Sequence, residues 1–335
     1  MRPSGKGTHW RRRLFIALSL SLLALGYRHF TRPVLPLVHG RPLADVVLDA
    51  CDGKGDRGVI LNNFSAISAP LLGDVLVAGE PLSSRVRRYL EPHLSARFLQ
   101  YLPPLVDTEA RWRNASSLLA DLGTNAVKAR PQLVLALEKN RQEDVQVHAT
   151  IALANLDCPI PEAVTSLIRL ANATNTFVLL NTWPRLSRLG VPAEAVLPVL
   201  RRGLSHPDSG VRFAALAALF QYGTNALPAL EPVIDLAQSD DPNVSSMAIQ
   251  ALGAMGSTDP RVIQALVSAL QGTDLHHQIL ALNALGRLGP GAAPAVPRIV
   301  EAMRNNVGGL WRFGRAALLN IAPNTPEARQ ELHEQ

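Results

Sequence analysis

The chain has 335 residues, 47% hydrophobic but only 5% aromatic, so its core must be built from Leu, Ala and Val. Seven basic and no acidic side chains lie in residues 1–32, so the net charge of +6 leaves 26 basic and 27 acidic groups for residues 33–335, a net of −1. The basic excess therefore belongs to the N-terminus, and the neutral body argues against sequence-independent binding to DNA or RNA, which stands as a third reading.

Arg11, Arg12 and Arg13 precede an uncharged apolar run from Leu14 to Leu25, and Arg28 and His29 follow it. A basic segment ahead of a short apolar stretch reads as a secretory signal. The run would form only about 18 Å of helix, short for a hydrocarbon core of ~30 Å. Ala24 and Gly26 put small residues at a cleavage site, and the three arginines hold the tip on the cytoplasmic side. Residues 1–32 are therefore expected to be a signal peptide, or an N-terminal anchor if uncleaved. The chain is then exported or membrane-anchored, in a bacterial periplasm or cell envelope.

Residues 33–108 read as a linker followed by irregular or degenerate helical repeats. Pro33, Pro36 and Pro42 lead to a short helix over 43–50 and a turn-rich loop from Cys51 to Gly58. Helices are expected over 59–67 and 70–77, with Pro70 opening the second, then over 84–89 and 95–102. Two cysteines, Cys51 and Cys158, make no disulfide framework and read as unpaired small apolar residues.

From Glu109 a pattern sets in. Leu119, Leu153, Leu186, Leu219, Leu252, Leu285 and Leu318 stand 34 residues apart once and 33 apart thereafter. Such a period marks stacked units that bury their apolar faces only against one another. Each unit reads as a helix, a tight turn and a second helix. The turn column is Gly123, Asp157, Gly190, Gly223, Gly256, Gly289 and Ala322, and glycine suits the left-handed position that closes a helix. A second core column is Leu133, Leu167, Leu200, Val233, Leu266 and Ile299. Trp183 reads as core in a helix bent by Pro184, and Trp311 as a cap on the last unit. The expected fold is all-α: a right-handed αα-solenoid over 109–335, with irregular short helices and the apolar N-terminal segment before it.

Segments such as Asp241-Pro242-Asn243-Val244, Ala248 to Gly256 and Arg261 to Leu266 carry a resemblance. The array resembles HEAT repeats, in a HEAT/armadillo-like superhelix, especially the short variety also seen in phycobilin lyases. The Gly-Thr-Asn-Ala strings at 123–126 and 223–226 look like those of bacterial exported HEAT proteins. The family usually places an Arg early in each first helix, paired with an Asp along the stack. Arg212 fills that place, but its counterpart one unit later is Ser245, so the ladder is broken.

No His, Cys or carboxylate motif has metal spacing, and no nucleophile elbow or phosphate-binding loop occurs. No catalytic residue, cofactor or metal is assigned. His276 and His277 read as surface or capping residues, Asp240-Asp241 and Asp52/Asp56 as solvated turns or caps. The outward column of the second helices, Arg169, Arg202, Asp235, Ser268 and Glu301, with Arg201 beside it, is the candidate partner-binding surface. It runs from positive to negative, which is not a phosphate-binding stripe. The first-helix outward column, which includes Gln221, Ala254, Arg287 and Asn320, is equally mixed. The expected function is a non-enzymatic protein-interaction scaffold without nucleic acid. An enzyme or enzyme accessory of the HEAT-like lyase kind is the alternative that the resemblance implies.

Overall fold

A computed structural model describes residues 36–63, 65–78, 80–91, 105–140, 142–156, 159–305, 309–326 and 329. The basic and apolar segment at 1–32, the helix expected at 95–102, Asp157 and Cys158 lie outside them. Among the described residues no helix is long and apolar enough to cross a membrane.

The described chain enters through an antiparallel ribbon, β1 (Leu37–Val38) and β2 (Arg41–Pro42), with Leu37 opposite Pro42. His39 and Gly40 turn the ribbon at φ of 49° and 78°, the geometry of a tight hairpin. Strands this short leave no alternation to read, so the sequence pattern does not mark them.

Four helices follow: α1 (Leu43–Cys51), α2 (Arg57–Asn63), α3 (Ser65–Val77) and α4 (Leu82–Leu90). Here the expected boundary at Pro70 is wrong, because α3 starts at Ser65 and carries Pro70 inside it. A proline this near the start forfeits one bond, to the carbonyl of residue 66. Packing of α3 on the first regular unit outweighs that loss. Helix α1 packs on α3 and on the first helix of that unit, so the pair extends the stack N-terminally.

The regular units are α5 (Thr108–Asp121) with α6 (Arg130–Lys139), α7 (Glu143–Ala154) with α8 (Val164–Ala171), and α9 (Thr176–Thr182) with α10 (Ala193–Leu204). Next come α11 (Ser209–Tyr222) with α12 (Leu230–Leu236), and α13 (Pro242–Met255) with α14 (Pro260–Gln271). The last are α15 (Leu275–Leu288) with α16 (Val296–Asn305), then α17 (Trp311–Ile321). Every residue of both core columns is fully buried. Each first helix packs on the next first helix, and each second helix on the first helix that follows it. The seam therefore has no gap between units.

The turns follow the glycine column. Gly123, Gly190, Gly223, Gly256 and Gly289 all have positive φ, from 54° to 81°. Ala322, where a side chain opposes that conformation, is extended instead at φ −156°. Three units differ from the simple helix–turn–helix expectation. Tight 3-10 helices, Gly123–Ala129, Gly223–Ala229 and Gly289–Ala295, fill the step between first and second helix. Their three-residue period places Ala126 and Ala129, Ala226 and Ala229, and Ala292 and Ala295 in the core. Pro228 and Pro294 consequently lie within these segments and do not open the second helices.

First helices approach closely because small residues meet between them. A Cβ on Gly253 would lie 2.8 Å from the Ala284 Cα, and one on Gly286 would lie 3.3 Å from the Ala317 Cα. The third unit departs from regularity as expected. Helix α9 stops at Thr182, and Trp183–Arg185 forms a 3-10 turn around Pro184. Trp183 is buried, and its indole N–H donates to the Ala171 carbonyl at 2.9 Å.

Polar clamps fix the N-terminal helices to the array. Arg111 donates to both carboxylate oxygens of Asp52, from Nε at 2.6 Å and Nη2 at 2.7 Å. Asn114 donates to the Cys51 carbonyl at 2.8 Å, and Arg57 reaches Asp121 at 2.8 Å. The paired geometry of Arg111 and Asp52 is the stronger kind of ion pair, and it holds the C-terminal end of α1, next to the buried Cys51. Burial pushes the Cys51 thiol up to about 12. Since the thiolate is the reactive form, iodoacetamide at neutral pH is expected to spare Cys51 in the native protein. Asp52→Ala, which frees α1, should raise labelling at Cys51 as read by peptide mass spectrometry. Equal labelling of the two proteins would show that this clamp does not hold α1 down.

Candidate functional site

The acidic turn residues are helix caps. Asp241 accepts the N–H groups of Asn243 and Val244 at 2.9 and 3.2 Å, and Asp274 accepts those of His276 and His277 at 2.7 and 3.4 Å. These bonds, from Val244 first at Asp241 and from His276 first at Asp274, hold both carboxyls below the usual carboxylate range. Asp52, expected in a solvated turn, is spent on Arg111. Among the described residues no three His, Cys, Asp or Glu side chains are grouped so as to hold a metal ion.

The fourth residue of the first helices replaces the broken Asp–Arg ladder with a different device. Arg212 donates from Nη1 to the His206 and Pro207 carbonyls at 2.8 and 2.9 Å, tying down the loop that enters its own unit. Gln278, two units on, does the same to the Gly272 carbonyl at 2.7 Å. Ser245, between them, is too short to reach back. Its hydroxyl donates to the Asp241 carbonyl at 3.1 Å and lies 3.0 Å from Nε2 of His277, in the following unit. Nδ1 of His277 is 3.3 Å from Asp274.

Serine, histidine and aspartate thus stand in the order of a hydrolase triad. Ser245, however, is 3% exposed, and its hydroxyl also lies within hydrogen-bond distance of the Asp241 and Pro242 carbonyls at the start of its own helix, so it does not face solvent. The geometry describes a joint between α13 and α15. His277 is therefore more than a surface residue. The spacing of 33 residues between Arg212, Ser245 and Gln278 was the available signal for this column.

All six residues of the candidate partner surface are exposed on the second helices: Arg169 on α8, Arg201 and Arg202 on α10, Asp235 on α12, Ser268 on α14 and Glu301 on α16. They are only partly free. Arg169 donates to the Leu137 carbonyl at 3.2 Å, and Arg202 to the Asn172 side chain at 3.4 Å. Arg298 donates to Glu301 at 2.7 Å. Two shallow grooves, of about 440 and 390 Å³, lie beside α14 and α16 and share Gln271 and Arg298. Glu301 lines the second groove, and Ser268 lines neither.

A further groove, of about 330 Å³, crosses the first helices, where the sequence pattern had suggested only a mixed solvated face. Its walls are Phe220, Gln250, Asn283, Arg287 and Asn320, and its floor includes Gly286. The Arg287 guanidinium lies 5.6 Å from the centre of the Phe220 ring, a cation–π contact between α15 and α11. At the places on α13 corresponding to Phe220 and Gln221 stand Gly253 and Ala254, small residues that let α15 close on α13, with the Ala284 Cα only 2.8 Å from where a Gly253 Cβ would be. That succession of a large residue and then small ones at the same register was the legible signal.

Known proteins give the following likenesses. The profile of HEAT repeats matches residues 130–219 and 230–319, together more than half of the chain. Among solved structures, a designed armadillo repeat protein aligns over 66% of this chain and 99% of its own, at 17% identity and a TM-score of 0.43. An engineered protein of the Northeast Structural Genomics Consortium aligns over 71% of this chain and 95% of its own, at 20% identity and a TM-score of 0.39. The complex of CpcE and CpcF of phycocyanin lyase from Nostoc sp. PCC7120 aligns over 76% of this chain and 94% of its own, at 21% identity and a TM-score of 0.39. No curated protein matches the chain.

Proposed function

Because the chain belongs to the HEAT-repeat family, we propose that it works as a non-enzymatic scaffold that binds another protein along its extended surface. The observation that carries this reading is the uninterrupted seam of stacked first and second helices. It holds many surface side chains in fixed register at no further ordering cost, which is what weak, distributed contacts need. The second-helix line from Arg169 to Glu301 is the proposed partner surface. The basic and apolar run at Arg11–Leu25 supports export, or tethering to a membrane, in a bacterial cell envelope.

The test is affinity capture with the full chain, set beside a variant carrying Arg169→Glu, Arg201→Glu, Arg202→Glu and Glu301→Lys. All four positions are exposed, so the variant should stay folded, with only a small drop in melting temperature from the lost Arg169–Leu137 and Arg298–Glu301 contacts. A protein retained by the wild type and lost by the variant is the expected result. Retention unchanged by the four reversals would move the partner to another face, and no specific retention would overturn the scaffold reading.

A further inference from the structure

The groove across the first helices has three properties that together select a ligand. The first is its charge. Helices α11, α13, α15 and α17 contain four arginines, Arg212, Arg287, Arg312 and Arg315, and no aspartate or glutamate. Arg212 is engaged by loop carbonyls. Arg287, in the groove, meets the Phe220 ring and no carboxylate among the described residues.

The second property is the polar lining. Asn283 and Asn320 are exposed, and Gln250 makes only a long bond, 3.4 Å, within its own helix. A carboxamide offers a donor and an acceptor together. Side chains of this kind on three successive first helices match the alternating N–H and C=O groups of an extended backbone better than they match a phosphate chain, which needs clustered cations. The third property is length. Four adjacent helices at 8–10 Å spacing span about 24–30 Å, the reach of roughly eight extended residues. Phe220 supplies the apolar anchor.

We propose that this groove takes an extended peptide segment of a partner protein, with an acidic side chain over Arg287 and an apolar one against Phe220. The proposal rests on the scaffold reading, but uses the opposite set of helices from the second-helix line. The carboxylate pairs with the guanidinium while the ring keeps that guanidinium oriented. Asn283, Asn320 and Gln250 then bond the peptide backbone.

A phage-displayed library of random twelve-residue peptides, selected on the full chain, tests it. The expected result is enrichment of an acidic residue near an apolar one. Binding of the selected peptides, followed by fluorescence anisotropy, should weaken by tenfold or more in Arg287→Ala and in Phe220→Ala. Selection on Arg287→Glu should exchange the acidic preference for a basic one, an outcome that a merely unfolded variant cannot produce. Binders without acidic enrichment, binders indifferent to Arg287, or no binders at all would overturn the proposal. Capture of a whole partner protein through the second-helix line would still stand in those cases, so the two readings fail separately.

Discussion

Leu219→Ala is expected to destabilise the protein by about 2–5 kcal/mol, the range for removing a buried leucine from a packed core. Leu318→Ala, although Leu318 is equally buried, should cost visibly less. Helix α11 packs between α9 and α13 and also touches α10 and the 3-10 segment of its own unit. Helix α17 has α15, α16 and one 3-10 segment, with no further first helix described on its far side. In a stacked array the stability is close to a sum of unit and neighbour terms. A cavity in the middle therefore weakens two inter-unit contacts, and one at the end weakens one. Urea denaturation of the two variants, read by far-ultraviolet circular dichroism, decides the matter. Equal losses would contradict the account of stability as a chain of neighbour contacts.

Gly203→Ala is the second large effect. A Cβ at Gly203 would lie 2.4 Å from Cζ3 and 2.5 Å from Cη2 of Trp183, well inside any real contact. The ring has little freedom to withdraw, because its N–H is bonded to the Ala171 carbonyl and its surface is buried. Overpacking of this kind costs about 1–3 kcal/mol, occasionally more. Trp183→Phe should relieve it, since the smaller ring vacates the space the new methyl needs. In the double-mutant cycle, the pair is therefore expected to be more stable than the sum of the two single losses allows. Strict additivity across the four proteins would show that residue 203 and the indole do not meet.

Much of this architecture could be read in advance, for a physical reason. A periodic core repeats its demand for a leucine at Leu119 and at each later station, so one noisy unit is corrected by its neighbours. The glycine turns were legible because positive φ excludes nearly every other residue. The N-terminal helices were read less well. Helix α3 is neither bounded nor interrupted by Pro70, since its place is set by packing against α5 and α6, which local propensity does not see. The 3-10 segments escaped because their alanines suit a helix or a turn equally well. The joint at Ser245 and His277 escaped for another reason. Its partners are 32 residues apart and neither residue type announces a contact. The second-helix residues from Arg169 to Glu301 could be read as outward positions from their spacing, and they are exposed, whereas the groove on the first helices emerged only once Phe220 and Arg287 were seen to meet.

The contact between Arg287 and Phe220 also has a mechanical side. A helical stack behaves as a spring, because small changes in each step add along its length. The helix-on-helix packing of the described first helices joins adjacent coils and follows such changes locally. The ring and guanidinium skip a coil, so the 5.6 Å between them samples two steps at once. They act as a brace that resists bending at α13, where Gly253 offers no bulk of its own. Whatever grips the brace stiffens the spring, and tension that opens the spring loosens the grip.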